Sequence, residues 1–370
     1  MQGDFHYYAT YCAAYLAGYS HEESMDICYG AQFVDLCSKT LLSKIGATED
    51  AATTMLQLEM MDARTDILGL QDITRIWSSF HFLPKDLYAQ AEGKSRRPKV
   101  YMNKYRLICG PNGELVKKTV ELAKGKSLPS VGIAMHVVAD TWAHANFAGT
   151  PSLVINNTTD DFYELTDDDE TGNSDKKITF RHNPSAADDL DKDLFTNSLF
   201  QRSESSVMNL GHGRAGHLPD YSFIRYRYLP AWYDYRVLVK DNPSDYRNAF
   251  CQLVYAMKYL RGDVSGFETA TYESDAVAPY EDRIMSIIRK RQIIASDDWK
   301  AFGEELSGKD IEPFDIDKYQ DEYTAASAED KDDTYIGRFI KGALAHKGMV
   351  SSEIFRSGNT LAGFVEEALK

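Results

Sequence analysis

Residues 127–150, SLPSVGIAMHVVADTWAHANFAGT, decide how the chain is read. The stretch is mostly apolar and carries helix signals at both ends: Ser127 as N-cap, Pro129 in the first turn, and Gly149 followed by Pro151 as the stop. Within this helix His136, Asp140 and His144 recur every four residues. At about 100° per residue they fall at roughly 0°, 40° and 80° on one face, and at about 1.5 Å per residue the outer two lie about 12 Å apart. A lone histidine on an apolar helix is ordinarily a hydrogen-bonded core residue. A carboxylate buried between two imidazoles is a different case, because its desolvation is costly unless a cation or full hydrogen bonding compensates. The ladder therefore predicts metal ligation. Its length predicts more than one ion, with His136 and Asp140 serving one and His144 another.

The rest of the composition limits the alternatives. A chain of 370 residues buries a large core, as one big domain or one domain with an insertion. Hydrophobic residues at 43% and charged ones at 26% describe an ordinary soluble globular protein. No apolar run reaches the roughly 18 residues a membrane span needs. The opening MQGDFHYY lacks a basic flank followed by an apolar core, so the expectation is a cytoplasmic protein or one whose leader was removed. Five cysteines without a CxxC pattern read as reduced, mostly buried thiols. The net charge is −15, and residues 160–193 alone hold 12 acids against 4 bases, which argues against binding duplex nucleic acid. An anionic substrate stays compatible, since bound divalent ions invert the local field.

Working outward, residues 4–18 form a short helix, and Ser20 with Glu23 opens a second that runs to Gly46 with Asp35 inside it. Residues 53–87 continue in helical character with Asp62, Asp66 and Asp72. They end at His81, by default a core histidine between Phe80 and Phe82. The basic cluster at 94–106 reads as a surface loop, and 113–124 as an amphipathic helix. Residues 151–190 look like short strands around an acidic loop, an insertion forming a rim or lid; helix resumes near Leu190. The run GHGRAGHLPD at 211–220 packs His212, His217 and Asp220 among glycines that let the backbone bend closely around something small. Arg214 in that run either meets an anionic substrate or pairs with an acid. The organisation expected is a metal-binding domain in two parts, 1–150 and 191–262, then a helical extension, 263–370, with His346 on its surface.

His6, Asp35 or Asp66, His81, His136, Asp140, His144, His212, His217 and Asp220 then make a nitrogen and oxygen donor set large enough for up to three ions. No Walker loop, Rossmann fingerprint or nucleophile elbow competes with it, and the paired Glu-x-x-His motifs of di-iron bundles are missing. The early His6, His81 in SSFHFLP, the HVVAD ladder and the later histidine group resemble the zinc-dependent phospholipase C and single-strand-nuclease superfamily. The same runs resemble a bacterial family of unknown function. The superfamily resemblance implies a mainly α, helical-bundle fold of the phospholipase C type, here with a small β-containing insertion, and hydrolysis of phosphate esters at a trinuclear zinc site. It implies one ion on His81, His136 and Asp140, and a second on His144 and His212 with His217 or Asp220. A third would sit on His6 with Asp35 or Asp66. Three features depart from the superfamily pattern. The N-terminal residue, usually Trp, donates its amine and carbonyl there, whereas this chain begins Met1-Gln2-Gly3 with His6 close behind, so that either Asp4 replaces the amine or the third site is empty. Asn146 stands where the next histidine is usual, and GHGRAGHLPD replaces a helical His-x3-acid pair.

The function expected is a zinc-dependent hydrolase of phosphate mono- or diesters, small-molecule or lipid. Asp35 or Asp66 is its general base, and Arg214 steadies charge on the leaving oxygen. The alternative is a non-catalytic, metal-stabilised helical scaffold or binding protein.

Overall fold

The computed structural model describes residues 1–89, 105–166, 175–183, 185–201, 210–272 and 275–363, which are mainly helical with a small sheet. A π-helical turn, Asp4–Ala9, leads into α1 (Thr10–Leu16), and α2 (His21–Phe33) opens on the expected Ser20–Glu23 capping box. The expected continuation to Gly46 does not occur. Asp35 and Leu36 make tightened i−3 hydrogen bonds to Gln32 and Phe33, and the Ser38 hydroxyl caps a new helix, α3 (Lys39–Lys44). Asp35 thus sits in a turn and not inside a helix. Next come α4 (Gln57–Ala63), α5 (Ile67–Phe80), α6 (Glu114–Ala123) and α7 (Leu128–Ala143).

Helix α7 stops at Ala143, short of the expected Gly149. Asn146 adopts a left-handed φ of 76°, its N–H donates to Cys109 O at 2.9 Å, and Cys109 N–H donates to Phe147 O at 2.7 Å. Extended pairing with residues 108 and 109 replaces the last helical turns, leaving His144 as the C-cap.

After α8 (Leu153–Asn156), strands β1 (Tyr163–Leu165), β2 (Asp175–Lys177), β5 (Arg225–Tyr228) and β6 (Leu238–Asp241) form a sheet in the order β2-β1-β5-β6, antiparallel throughout; β3 (Thr179–His182) and β4 (Leu194–Asn197) pair in parallel. The β-region therefore reaches Asp241. Among the described residues the helix expected from Leu190 is a single 3-10 turn, Leu190–Lys192, with residues 202–209 outside them: β4 buries Phe195, and in β5 the alternation Arg-Tyr-Arg-Tyr buries Tyr226 and Tyr228 on one face. Most of the basic cluster and of the acidic loop lies outside the described residues. A short α9 (His212–Ala215) precedes the C-terminal helices α10 (Asn242–Arg261), α11 (Glu281–Arg289), α12 (Ser296–Ser307), α13 (Gln320–Ala325) and α14 (Tyr335–Arg356).

Helix α7 is the axis of the molecule, packed against α2, α5, α6, α10 and α14, and every residue from Val131 to Ala143 is buried. Its approach to α2 needs glycine: a Cβ on Gly132 would stand 2.5 Å from Ile27 O and 2.8 Å from Ala31 N. Both are backbone atoms, which cannot rotate away. Gly132→Ala should therefore destabilise the fold by about 1–3 kcal/mol in chemical denaturation despite alanine's higher helix propensity. A second core, built on Phe147, Phe162, Phe195, Tyr226 and Tyr228, underlies the sheet and reaches the helical part through Phe82.

His346 is a correction, since it is buried on α14 and not on the surface. Its Nε2–H donates to Ser79 O at 2.8 Å, and burial pulls its pKa down to about 4. The unfolded chain binds this proton below about 6.5 while the folded chain does not, so stability is lost as pH falls from 6.5 towards 4. His346→Gln should remove about 2 kcal/mol of the drop between pH 7 and pH 5, read from urea unfolding of variant and parent.

Candidate metal centre

Each donor reaches the centre by a local device. The wide π-helical turn carries His6, fully buried, to within 3.1 Å (Nε2) of Asp140 Oδ1, its ring stacked 3.8 Å from that of His136. His81 is the C-cap of α5, where leaving the helix turns its Nδ1 to 3.2 Å from Asp140 Oδ2. His136 Nε2 lies 3.2 Å from the same oxygen and 3.3 Å from His81 Nδ1. The turn after α2 sets Asp35 Oδ1 3.7 Å from His81 and 3.8 Å from His136. On the β side, His144 Nε2 is 3.3 Å from Asp220 Oδ1, and His212 Nε2 is 3.3 Å from Asp220 Oδ2. The Met1 ammonium completes the cluster, 2.6 Å from Asp140 Oδ1 and 3.4 Å from Asp220 Oδ1.

Backbone carbonyls fix how these rings carry their protons. Ala31 O faces His136 Nδ1 at 2.9 Å, Thr53 O faces His81 Nε2 at 3.0 Å, and His81 O faces His144 Nδ1 at 2.8 Å. A carbonyl only accepts, so each of those nitrogens holds its ring's proton and the opposite nitrogen of a neutral ring is bare. Burial keeps His6, His136 and His144 neutral by pulling each pKa down to about 4. Burial opposes the charge on Asp140 too, yet His144, the Met1 ammonium and His136 outweigh it and hold the carboxyl well below the usual range. The bare Nε2 of His136 thus faces Asp140 Oδ2 at 3.2 Å with no proton between them, while the Met1 ammonium stands 3.2 Å from His144 Nε2. Two acceptors at 3.2 Å repel in a dry interior, and a bound cation turns that repulsion into coordination.

Three groups have donor atoms within 4.8 Å of one another: His6, His136 and Asp140; Asp35, His81 and His136; His144, His212 and Asp220. His136 has one bare nitrogen, so it serves one of the first two groups at a time. Imidazole and carboxylate donors in threes suit a first-row divalent ion with room for a further ligand. Asp35, His81, His144, His212 and Asp220 also line a cavity of about 330 Å³, whose other walls include Ile73, Trp77, Phe82 and Leu210.

Of the residues singled out by sequence, His6, Asp35, His81, His136, Asp140, His144, His212 and Asp220 come together, and Asp66, His217 and Arg214 do not. Asp66 caps α5, its Oδ1 accepting from Gly69 N–H at 2.8 Å. His217 points half-exposed to Asp188, 3.4 Å away, which holds its pKa up. Arg214 pairs with Asp160 at 3.2 Å and does not line the cavity. Asp4 is no substitute for the amine, since its two oxygens accept from Phe5 N–H and Ala295 N–H, both at 2.7 Å. Asp66→Ala should therefore cost about 1 kcal/mol of stability, and it and His217→Ala should both leave metal content unchanged, whereas His212→Ala lowers it.

Sequence reasoning missed the Met1 ammonium's place and the three orienting carbonyls. The carbonyls come from α2, from the loop before α4 and from the end of α5, so no local pattern announces them. All five cysteines are buried free thiols, and among the described residues no helix is long and apolar enough to cross a membrane.

No curated protein and no solved structure matches the chain. A profile for DUF6765, described as a family of unknown function, matches residues 1–354, and the chain belongs to that family.

Proposed function

We propose that the chain is a zinc-dependent hydrolase of phosphate mono- or diesters, working in the manner of the phospholipase C and nuclease superfamily its motifs resemble. The observation that carries this reading is that two of the three donor groups open on one cavity, one through Asp35 and His81 and the other through His144, His212 and Asp220. A closed structural site would present no such opening, which disfavours the scaffold alternative. Bound zinc supplies a Lewis acid and water acidified towards neutral pH.

The chain's own residues do the rest. Asp140 and Asp220 hold fixed negative charge between the imidazoles, and Phe82, stacked on His144 at 4.8 Å, keeps water from that wall. Asp35 is the carboxylate most loosely held, with 28% of its side chain exposed, and burial raises its pKa. In this reading Asp35 takes a proton from the attacking water. Thr54 and Ser198 add hydroxyl-bearing side chains to the same cavity.

The test is hydrolysis of bis(p-nitrophenyl) phosphate and p-nitrophenyl phosphate by tag-free, zinc-reconstituted protein. Turnover of either ester that falls by about 100-fold or more in Asp35→Asn supports the reading. A full metal complement with no turnover of either would return the chain to the scaffold alternative.

A further inference from the structure

The hairpin of α4 and α5 presents two opposite faces. Its inner residues Met60, Ile73 and Trp77 line the metal-centre cavity. Its outer residues Leu58, Ile67 and Leu68 are 74%, 70% and 72% exposed, with Leu56 and Met61 beside them. Aliphatic side chains protruding this far into water lose solvation free energy unless something covers them, and five within 13 residues form a patch and not a scatter. Exposed apolar tips recur at two other places on the same rim. Leu153 and Val154 project from α8, whose Asn156 lines the cavity, and Phe200 follows Ser198, another lining residue. Three separate segments therefore raise apolar tips around one opening.

We infer that this rim docks on a zwitterionic lipid surface, with the α4–α5 hairpin as its main contact. Separate convex protrusions suit a fluid hydrocarbon layer, which closes around each tip; a protein partner would need a matching pocket for every one. Charge selects the kind of lipid. Residues 56–68 carry Glu59, Asp62 and Asp66 against Arg64 alone, and the whole chain is at −15, so an anionic bilayer repels this face while a zwitterionic one does not. The docking stands on exposure and placement, independently of the proposed hydrolase activity.

The experiment is flotation of the full chain with phosphatidylcholine vesicles, read without any enzymatic assay. The parent should rise with the vesicles, unaffected by added salt and less completely when phosphatidylglycerol is mixed in. A Leu58→Ser, Ile67→Ser, Leu68→Ser triple variant should lose about tenfold or more in partitioning, because three exposed aliphatic anchors are gone. Its thermal unfolding should match the parent's, since none of the three is buried. A Val237→Ser, Val239→Ser control on the β6 side, where both side chains are 53% exposed, should float like the parent. A parent that stays at the bottom of the gradient, or a triple variant that floats undiminished, overturns the docking. Self-association of the parent that the triple variant abolishes, without vesicle binding, assigns the patch to a second copy of the chain and overturns the lipid assignment.

Discussion

Asp140→Asn is expected to lose at least one equivalent of metal and to unfold at a markedly lower temperature than the parent. The side chain is 1% exposed and faces two ways, Oδ2 towards His81 and His136 at 3.2 Å and Oδ1 towards His6 at 3.1 Å. Asparagine keeps the shape but turns one oxygen into a donor and removes the charge that two of the three donor groups face. The Met1 ammonium, fully buried and held up to about 10 by Asp140, Asp220 and Asp35 against the opposing effect of burial, would lose its shortest partner. Breaking one side of a buried ion pair costs about 3–5 kcal/mol. Metal analysis and thermal unfolding of the purified variant check both parts. A variant as stable and as metal-rich as the parent would remove Asp140 from the centre.

Chelation is the second large effect. Stripping metal with a strong chelator should lower the melting temperature by on the order of 10 °C, because each tightly bound ion adds about 4 kcal/mol of apparent stability at a thousandfold excess over its dissociation constant. The loss should reverse on adding zinc and not on adding magnesium, which prefers oxygen donors. Without a cation, the bare nitrogen of His136 is left facing Asp140 Oδ2 at 3.2 Å and Asp35 Oδ1 at 3.8 Å. Differential scanning calorimetry before and after chelation measures the shift, and an unchanged melting temperature would mean that the cluster is satisfied without metal.

What could be read from the sequence divides along physical lines. The central helix was legible because its apolar run and its His-x3-Asp-x3-His spacing are local, and the start of α2 because its capping box acts within one turn. The end of α7 was not, because Asn146 turns the chain to pair with Cys109, a partner 37 positions away. The break after α2 is a further local-versus-tertiary case: Asp35 looked helical among apolar neighbours, yet leaving the helix brings it to His81. Composition separated His212 and Asp220 from His217 no better than chance, since all three share one glycine-rich run; only the fold sends His217 to Asp188. His346 looked like a surface residue for want of any local mark of its bond to Ser79.

The most direct measurement is the metal content of tag-free protein by elemental analysis, as purified and again after zinc reconstitution. Two or more equivalents of divalent metal per chain is the result the proton arrangement around Asp140 predicts. Less than one equivalent after reconstitution would contradict it, and the eight convergent donors would then be a buried polar network.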